Sequence, residues 1–175
     1  VVNAGRNSRW YAGSGIFRHV WLIKTNKLYL DKWDTFVNAS ELQKKEAVIQ
    51  FSTIVHNEGL QNQSGKIGIK IYSPAGNEVF STSQDVILSE GTPVATSFSL
   101  KKPELWSVDT PVLYTAEVSL SSDGKEYDKI SVPFGIRTLS FSAEKGFLLN
   151  GKSMKLKGGC VHHDNGLLGA AAIDR

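Results

Sequence analysis

The fold is decided by the stretch Ala47-Val48-Ile49-Gln50-Phe51-Ser52-Thr53-Ile54-Val55. Its odd-numbered residues lie on one side of an extended strand and its even-numbered residues on the other, because successive side chains of a strand point to opposite faces. Alternation at period two is the pattern of a half-buried strand. The same alternation recurs in Ile67, Ile69 and Ile71, in Val94, Thr96, Phe98 and Leu100, in Tyr114, Ala116, Val118 and Leu120, and in Ile130, Val132, Phe134 and Ile136.

Turn-forming residues separate these runs, and they supply the Gly, Pro, Asn and Asp that tight backbone angles favour. Adding residues 34–39 and 78–88 gives about seven short strands, with no helical pattern between residues 24 and 137. The sequence therefore predicts an all-β fold, an antiparallel β-sandwich of the immunoglobulin-like type. The predicted turns are Asn57-Glu58-Gly59, Ser64-Gly65, residues 73–77, residues 90–93 and Ser122-Asp123-Gly124.

The bulk composition is that of an ordinary globular domain, with 41% hydrophobic and 21% charged residues. The net charge of +3 comes from scattered basic residues, whereas a nucleic-acid binder clusters them, so no nucleic-acid partner is predicted.

A single cysteine, Cys160, excludes an internal disulfide framework. No apolar run approaches the roughly 18 residues of a membrane span, so no membrane partner is predicted. The N-terminus carries no signal peptide pattern, and cysteine usage leaves the compartment open, with a periplasmic or secreted location compatible.

The segments on either side of the sandwich pattern predict other structures. Residues 9–22 form a glycine-bearing loop that leads into an aromatic-rich strand, and residues 24–27 read as a linker. Downstream, Asn150-Gly151 lies between apolar runs and predicts a hairpin. Residues 156–163 then predict a strand and residues 166–172 a helix, which is how an α/β barrel begins. We expect both ends to be cuts through a longer chain.

Three segments carry a family resemblance. They are Ser8-Arg9-Trp10-Tyr11-Ala12-Gly13-Ser14-Gly15-Ile16-Phe17-Arg18-His19-Val20-Trp21-Leu22; Pro103-Glu104-Leu105-Trp106-Ser107-Val108-Asp109-Thr110-Pro111-Val112-Leu113-Tyr114 with Phe134-Gly135-Ile136-Arg137; and Phe147-Leu148-Leu149-Asn150-Gly151-Lys152 with Leu156-Lys157-Gly158-Gly159-Cys160-Val161-His162-His163-Asp164. In order and spacing they resemble glycoside hydrolase family 2, of the β-galactosidase type. The resemblance implies that residues 1–23 end a sugar-binding jelly-roll domain, that residues 24–137 form the immunoglobulin-like domain, and that residues 138–175 begin a catalytic (β/α)8 TIM barrel.

The same resemblance implies a retaining exo-glycosidase of carbohydrate metabolism that hydrolyses terminal β-linked sugars, with galactose as the expected sugar and glucuronic acid and mannose left open. Retaining hydrolysis uses two carboxylates about 5 Å apart. In the family these are two glutamates on later barrel strands, beyond Arg175, so no catalytic residue is predicted in this chain. We therefore expect the chain alone to be inactive and its sandwich to act as a structural spacer. No cofactor is predicted here, although the family's barrels bind metal ions elsewhere.

The candidate substrate-binding residues at the barrel side are His162, His163 and Asp164, which would lie at the carboxyl end of the first barrel strand. The resemblance matches His162 to a histidine of the sugar pocket, where it would donate to a sugar hydroxyl or to developing charge. Because neighbours in a strand face opposite sides, one of the two histidines is expected to be structural. A zinc site is not predicted from these residues, since its ligands would have to converge on one ion.

Two further candidates, Arg9 and Trp10, lie on the loop that in the family reaches from the jelly-roll domain toward the active site. Trp10 would stack on a sugar face, and the alternative of equal weight is that it packs in a domain interface. The sequence departs from the family at Cys160 and Val161, where Asn and Arg commonly precede the histidine. The loss of that arginine's donors leaves the sugar open. Cys160 is expected to be a buried, inert thiol, and the aromatic residues Trp106 and Tyr114 are expected in the sandwich core.

A second interpretation is a self-standing immunoglobulin-like module for carbohydrate binding or adhesion, because a fold alone does not fix a function. The barrel-like continuation after Arg137 favours the enzyme. Exposed strand edges at the two ends predict either disorder or intermolecular pairing there, so a homo-oligomer is compatible with the sequence.

Overall fold

The structure is a computed structural model that describes residues 19–160, except residues 44 and 60. Two compact units divide the chain, one formed by Thr25–Lys155 and the other by Val1–Lys24 with Leu156–Arg175. Of the second unit, residues 19–24 and 156–160 are described, and they carry no strand and are exposed. Residues 1–18 and 161–175, which include the helix predicted at residues 166–172, lie outside the described residues.

The unit Thr25–Lys155 is built from strands, with one turn of 3-10 helix at Lys32–Asp34. Every pairing between its strands is antiparallel. The strands are β1 (Leu28–Leu30), β2 (Phe36–Gln43), β3 (Glu46–Asn57), β4 (Gln63–Tyr72), β5 (Glu78–Leu88), β6 (Thr92–Lys101), β7 (Tyr114–Ser122), β8 (Lys125–Phe134), β9 (Leu139–Ser142), β10 (Gly146–Leu149) and β11 (Lys152–Ser153).

The first sheet is organised around β3, the strand that contains Ala47 to Val55. On one side β3 pairs with β6, and on the other it pairs with β2 and then β1, which occupy successive parts of its length. This sheet therefore contains four strands but is only three strands wide. The second sheet has the order β5-β4-β7-β8 and is four strands wide, and the third is the small meander β11-β10-β9.

The inward faces of the two large sheets form one hydrophobic core, which confirms the predicted all-β sandwich. All the odd-numbered residues from Ala47 to Val55 are buried on β3. Opposite them, Ile67, Ile69 and Ile71 of β4 are buried together with the even-numbered residues 114–120 of β7. A buried hydrogen bond of 2.8 Å joins the hydroxyls of Thr35 and Thr53, so the one polar side chain in the β3 row has a partner.

The short strand β1 links the two sheets at their border. It pairs with β3 of the first sheet, and the backbone N–H of Leu30 donates to Oδ2 of Asp128 on β8 at 2.8 Å. Just upstream, the side-chain amide of Asn26 donates to the carbonyl of Tyr127 at 2.6 Å. These contacts close the sandwich on the β8 side.

Several predicted boundaries are wrong. Thr92 and Pro93 of the turn predicted at residues 90–93 lie in β6, and two further differences have a clear physical cause. The strand predicted at residues 34–39 begins only at Phe36, because Asp31 caps the 3-10 turn by accepting from the backbone N–H of Trp33 at 2.8 Å. The turn predicted at Ser64-Gly65 does not form, and both residues lie in β4. Gly65 is required there by packing, since an added Cβ would come within 2.2 Å of Cδ1 of Leu88, which is fully buried.

Among the described residues, no helix has the length and apolar character needed to cross a membrane.

The position of Gly65 generates a stability prediction. Replacing Gly65 with alanine forces the new methyl group against Leu88 and the backbone oxygen of Ser121. Overpacking of this kind costs about 1–3 kcal/mol, so we expect the free energy of unfolding in urea to fall by that amount. The control is Ser64→Ala on the exposed neighbour in the same strand, for which we expect a change within about 0.5 kcal/mol. Equal stability of the two variants would contradict this packing role.

Candidate functional site

All five candidate site residues, Arg9, Trp10, His162, His163 and Asp164, lie outside the residues that the structure describes. The predicted strand at residues 156–163 is described as far as residue 160, and that part carries no strand. Cys160 is exposed, so the expectation of a buried thiol is wrong. The reason is that residues 155–160 pair with no strand among the described residues, so no described sheet covers the side chain.

The segment that leads toward the predicted barrel is tied to the sandwich by Asn150. This residue forms the predicted hairpin turn with Gly151, at φ angles of 52° and 76°, which are those of a type I′ turn. Its side-chain oxygen accepts from the backbone N–H of Thr138 at 3.0 Å, and its backbone N–H donates to the carbonyl of Thr138 at 2.9 Å. Its amide nitrogen donates to the carbonyl of Trp106 at 3.0 Å. Asn150 therefore joins the hairpin to the loop before β7.

The two parts of the second segment that carried the family resemblance meet at Trp106. The backbone N–H of Trp106 donates to the carbonyl of Ile136 at 2.9 Å, and the guanidinium of Arg137 lies 4.7 Å from the centre of the Trp106 ring. An added Cβ on Gly135 would lie 3.0 Å from Trp106, so the chain passes close to the indole. Trp106 is half-buried rather than in the core, and it forms the contact between these two parts.

Tyr114 occupies the predicted core position at the start of β7. Its hydroxyl accepts a hydrogen bond from the backbone N–H of Glu104 at 2.9 Å. A tyrosine at this corner that bonds to backbone a few residues upstream is characteristic of immunoglobulin-type sandwiches. The contact closes the long connection between β6 and β7.

The outer face of the second sheet holds a depression of about 450 Å³. Its floor is made by the small residues Gly68, Ser83 and Ser119, which strand pairing brings side by side on β4, β5 and β7. An added Cβ on Gly68 would lie 2.6 Å from the hydroxyl of Ser119, so only glycine keeps this floor low. Hydroxyl and charged groups line it, and the lining includes Lys70, Ser81, Thr82, Glu117, Glu126 and Lys129.

Both lysines that line this depression are in ion pairs. Lys129 lies 3.0 Å from Glu117 and Lys70 lies 3.3 Å from Glu78, and beside the depression Lys66 lies 3.6 Å from Asp85. The hydrogen bond to Glu117 raises the pKa of Lys129. The depression therefore offers hydroxyls, paired charges and the Glu126 carboxylate to a polar ligand or to water.

A second polar cluster lies at the β1–β3 pairing. The Nε2 atom of His56 is 2.7 Å from Oδ2 of Asp34, and the imidazole stacks on the Tyr29 ring with centroids 4.9 Å apart. The Tyr29 hydroxyl donates to Glu58 at 3.3 Å. Lost solvation and the Glu58 carboxylate raise the pKa of Tyr29. Within residues 19–160 no serine, threonine or cysteine is hydrogen-bonded to His56, so this histidine–carboxylate pair has no nucleophile to activate.

Neither cluster has the features of a hydrolytic centre. Three of the carboxylates around the depression, Glu78, Asp85 and Glu117, are bound to lysines, and Asp34 is bound to His56. In the part of the chain that the structure describes, no group of three His, Cys, Asp or Glu side chains is placed to hold a metal ion. A second depression, of about 470 Å³, is lined by Val79, Leu100, Lys101, Glu104 and Tyr114, among others, and it holds a single carboxylate.

The fold and these contacts define the class of domain: an immunoglobulin-like β-sandwich, closed at the Tyr114 corner and tied by Asn150 to a following hairpin. The model of the glycosyl hydrolases family 2 matches residues 28–137. The chain belongs to this family, which confirms the resemblance seen in the sequence.

Relatives and solved structures of this family match nearly the whole chain. The β-galactosidase BoGH2A of Bacteroides ovatus is 39% identical over 97% of the chain, and a β-glucuronidase of Bacteroides fragilis is 29% identical over 90%. A crystal structure of a family 2 member from Bacteroides cellulosilyticus superposes with a TM-score of 0.87, at 42% identity over 97% of the chain. The chain spans only 20% of the first relative, 24% of the second and 22% of the crystal structure's chain.

Sequence reasoning missed the side-chain role of Asn150 and the depression on the second sheet. The signal for the depression was present in Lys66, Gly68 and Lys70, which alternate with the buried isoleucines of β4 and so had to face outward. The signal for Asn150 was weaker, since Asn-Gly is explained by the turn alone.

The Asn150 contacts predict that the Asn150 side chain stabilises the connection between the hairpin and the loop before β7. Replacing Asn150 with glycine keeps the positive φ and the backbone bond to the Thr138 carbonyl, but it removes the side-chain bonds to the Thr138 N–H and the Trp106 carbonyl, which leaves these half-buried groups unpaired. We expect a loss of roughly 1–3 kcal/mol in the free energy of unfolding, with faster hydrogen exchange at the Thr138 amide. The matched control is Asp123→Gly in the Asp123-Gly124 turn, where φ is 50° and the side chain is exposed. If both variants lose the same stability, the turn alone explains the effect.

Proposed function

We propose that the complete protein is a retaining exo-glycosidase that removes terminal β-linked galactose in carbohydrate metabolism. The observation that carries the choice of sugar is the 39% identity over 97% of the chain to the β-galactosidase of Bacteroides ovatus. The β-glucuronidase of Bacteroides fragilis matches with lower identity, 29% over 90%. Family membership supports the broader activity, the hydrolysis of a glycosidic bond.

The chemistry of this proposal is divided between this chain and the rest of the protein. Retention of configuration uses one carboxylic acid to protonate the leaving oxygen and a carboxylate about 5 Å away to attack the anomeric carbon. The family resemblance assigns both to barrel glutamates that follow Arg175. From this chain, His162 would donate a hydrogen bond to a sugar hydroxyl, and Trp10 would stack on a sugar face.

In this proposal the sandwich acts as a spacer that holds the flanking segments at a fixed separation. Its continuous core and the Asn150 contacts support that role, because a spacer has to transmit position without bending. The Tyr114 corner and the Trp106–Arg137 stack support it as well, since they brace the end of the sandwich from which the hairpin leaves. A rigid support of this kind keeps binding groups within the small tolerances that catalysis requires.

A carbohydrate-binding module is the second candidate, and the depression on the outer face of β4, β5 and β7 favours it. Hydroxyls of Ser83 and Ser119 and the paired charges around them are groups that hydrogen-bond to sugar hydroxyls. On this alternative the chain would bind saccharide by itself without hydrolysing it. The adhesion version of the module gains no such support from the described residues.

Experiments on this chain by itself distinguish the glycosidase proposal from the carbohydrate-binding module. We expect it to hydrolyse neither a chromogenic β-galactoside nor a β-glucuronide, because the proposed glutamates follow Arg175. In an NMR titration with galactose and lactose, we expect no shift in the amide signals of Gly68, Ser83 and Ser119. Saturable shifts at these amides would favour the binding module, and turnover by the purified chain would contradict the proposed division of chemistry.

In the complete enzyme, His162→Asn is expected to lower kcat for the β-galactoside about a hundredfold, which is typical for the loss of one transition-state hydrogen-bond donor. The product should retain the β configuration when its anomeric signal is followed by NMR. Asp123→Gly, on an exposed turn of the sandwich, serves as the control and should keep full activity. An unchanged kcat in the His162 variant would remove this residue from the site, and an inverted product would reject the retaining mechanism.

A further inference from the structure

The turn between β10 and β11 contains a pair of residues that can react with each other, Asn150 and Gly151. In such a pair the backbone nitrogen of the glycine can attack the side-chain carbonyl carbon of the asparagine. Glycine hinders this attack least, because it has no side chain. The two atoms have to come within about 3–3.5 Å of each other in the correct alignment. The fold therefore decides whether this pair reacts.

The Asn150 side chain is held at both of its polar atoms. Its Oδ1 atom accepts from the backbone N–H of Thr138 at 3.0 Å, and its Nδ2 atom donates to the carbonyl of Trp106 at 3.0 Å. The backbone N–H of Asn150 donates to the carbonyl of Thr138 at 2.9 Å. A side chain held in this way is not free to turn toward the Gly151 nitrogen. The attack requires that the hairpin first separate from Thr138 and Trp106, which is a local opening of the fold.

We propose that Asn150 is a site of spontaneous deamidation whose rate is set by this local opening. In the opened form the deprotonated backbone nitrogen of Gly151 attacks Cγ of Asn150. A bond forms between these two atoms, the Cγ–Nδ2 bond breaks, and Nδ2 takes up a proton and leaves as ammonia. Water then opens the cyclic imide to give aspartate or isoaspartate at position 150, and water is the only co-reactant.

The modification removes the bond between Asn150 and Trp106 permanently. Neither product has an N–H group in its side chain, so neither can donate to the Trp106 carbonyl. Isoaspartate also adds a methylene group to the backbone of a turn that is only two residues long between the paired Leu149 and Lys152. Local opening is reversible, whereas deamidation is not. Each opening therefore carries a chance that the hairpin loses its connection to the loop before β7.

The turn between β7 and β8 offers a matched comparison. Asp123 and Gly124 have φ angles of 50° and 74°, against 52° and 76° for Asn150 and Gly151. In both turns the glycine is followed by a lysine. Asp123 is exposed, and its side chain bonds to no other residue in the described part of the chain. Asp123→Asn therefore creates a turn with the same three residues and the same shape, but without the two side-chain bonds.

The first experiment follows deamidation at both turns within one molecule, the Asp123→Asn chain, by mass spectrometry of tryptic peptides at neutral pH. Positions 123 and 150 fall in different peptides, and Asn165-Gly166, which lies outside the described residues, falls in a third. In the folded chain, position 123 should react roughly tenfold faster than Asn150 or more, because two hydrogen bonds restrain Asn150. In denaturing urea the two positions should react at similar rates. Similar rates in the folded chain would overturn the proposal, as would an Asn150 that stays unmodified in urea.

The second experiment compares two rates in the unmodified sequence at urea concentrations below the unfolding transition. One is the deamidation of Asn150, and the other is hydrogen exchange of the Thr138 amide, which donates to Asn150. Both need the same opening, so both should rise by the same factor as urea is added. If Thr138 exchange accelerates while the deamidation rate of Asn150 does not change, the attack does not pass through this opening and the proposal fails.

The third experiment tests the structural consequence in an Asn165→Ser background, so that only one Asn-Gly pair remains. The product at position 150 carries an extra negative charge, and ion exchange separates it from the unmodified chain. Its equilibrium constant for unfolding in urea should be roughly fivefold higher or more, because the half-buried Trp106 carbonyl loses its partner. An unchanged constant would reject the loss of the connection. Circular dichroism of each sample confirms that the fold is kept.

Discussion

The contact between the two large sheets is the interaction on which the rest of the structure depends. The single cysteine rules out an internal disulfide, so the sandwich is held by buried side chains such as Ile49 and Phe51 of β3 and Ile67 and Ile69 of β4. Burying a side chain of this size contributes roughly 1.5–3 kcal/mol. The Tyr114 corner, the Asn150 contacts and the Trp106–Arg137 stack all depend on the frame that this core provides.

The sequence was informative where burial on one face decides the structure. The alternation in β3 and β7 predicted both strands and their inward residues, because a strand between a core and solvent has to alternate. It failed where a distant packing partner overrules local turn chemistry. Ser64-Gly65 has the composition of a turn, yet Gly65 is the residue that leaves room for Leu88, a contact 23 positions away that no local pattern reveals. The start of β2 was missed because the cap by Asp31 competes with the extended conformation.

The functional surface was less predictable than the fold, for a related reason. Period two shows that Gly68, Ser83 and Ser119 face outward, but their meeting in one depression depends on the register between β4, β5 and β7. The reach of the Asn150 amide to Trp106 likewise spans 44 residues. The five candidate site residues came from motif matching alone, and they precede residue 19 or follow residue 160. Family membership was predictable because the segments that carry it, at Trp106 and Gly135, are constrained by each other's packing.

The unequal widths of the two sheets explain a feature of β5 that composition alone would not. Thr82 and Gln84 occupy inward positions of the pleat but are polar, because no strand of the narrower sheet covers them and apolar side chains there would form an exposed patch. Val79 shows the complementary case. It is the extra residue of the bulge at the start of β5, and it lines the second depression together with Leu100 and Tyr114, so the bulge places an apolar side chain where the other sheet does reach.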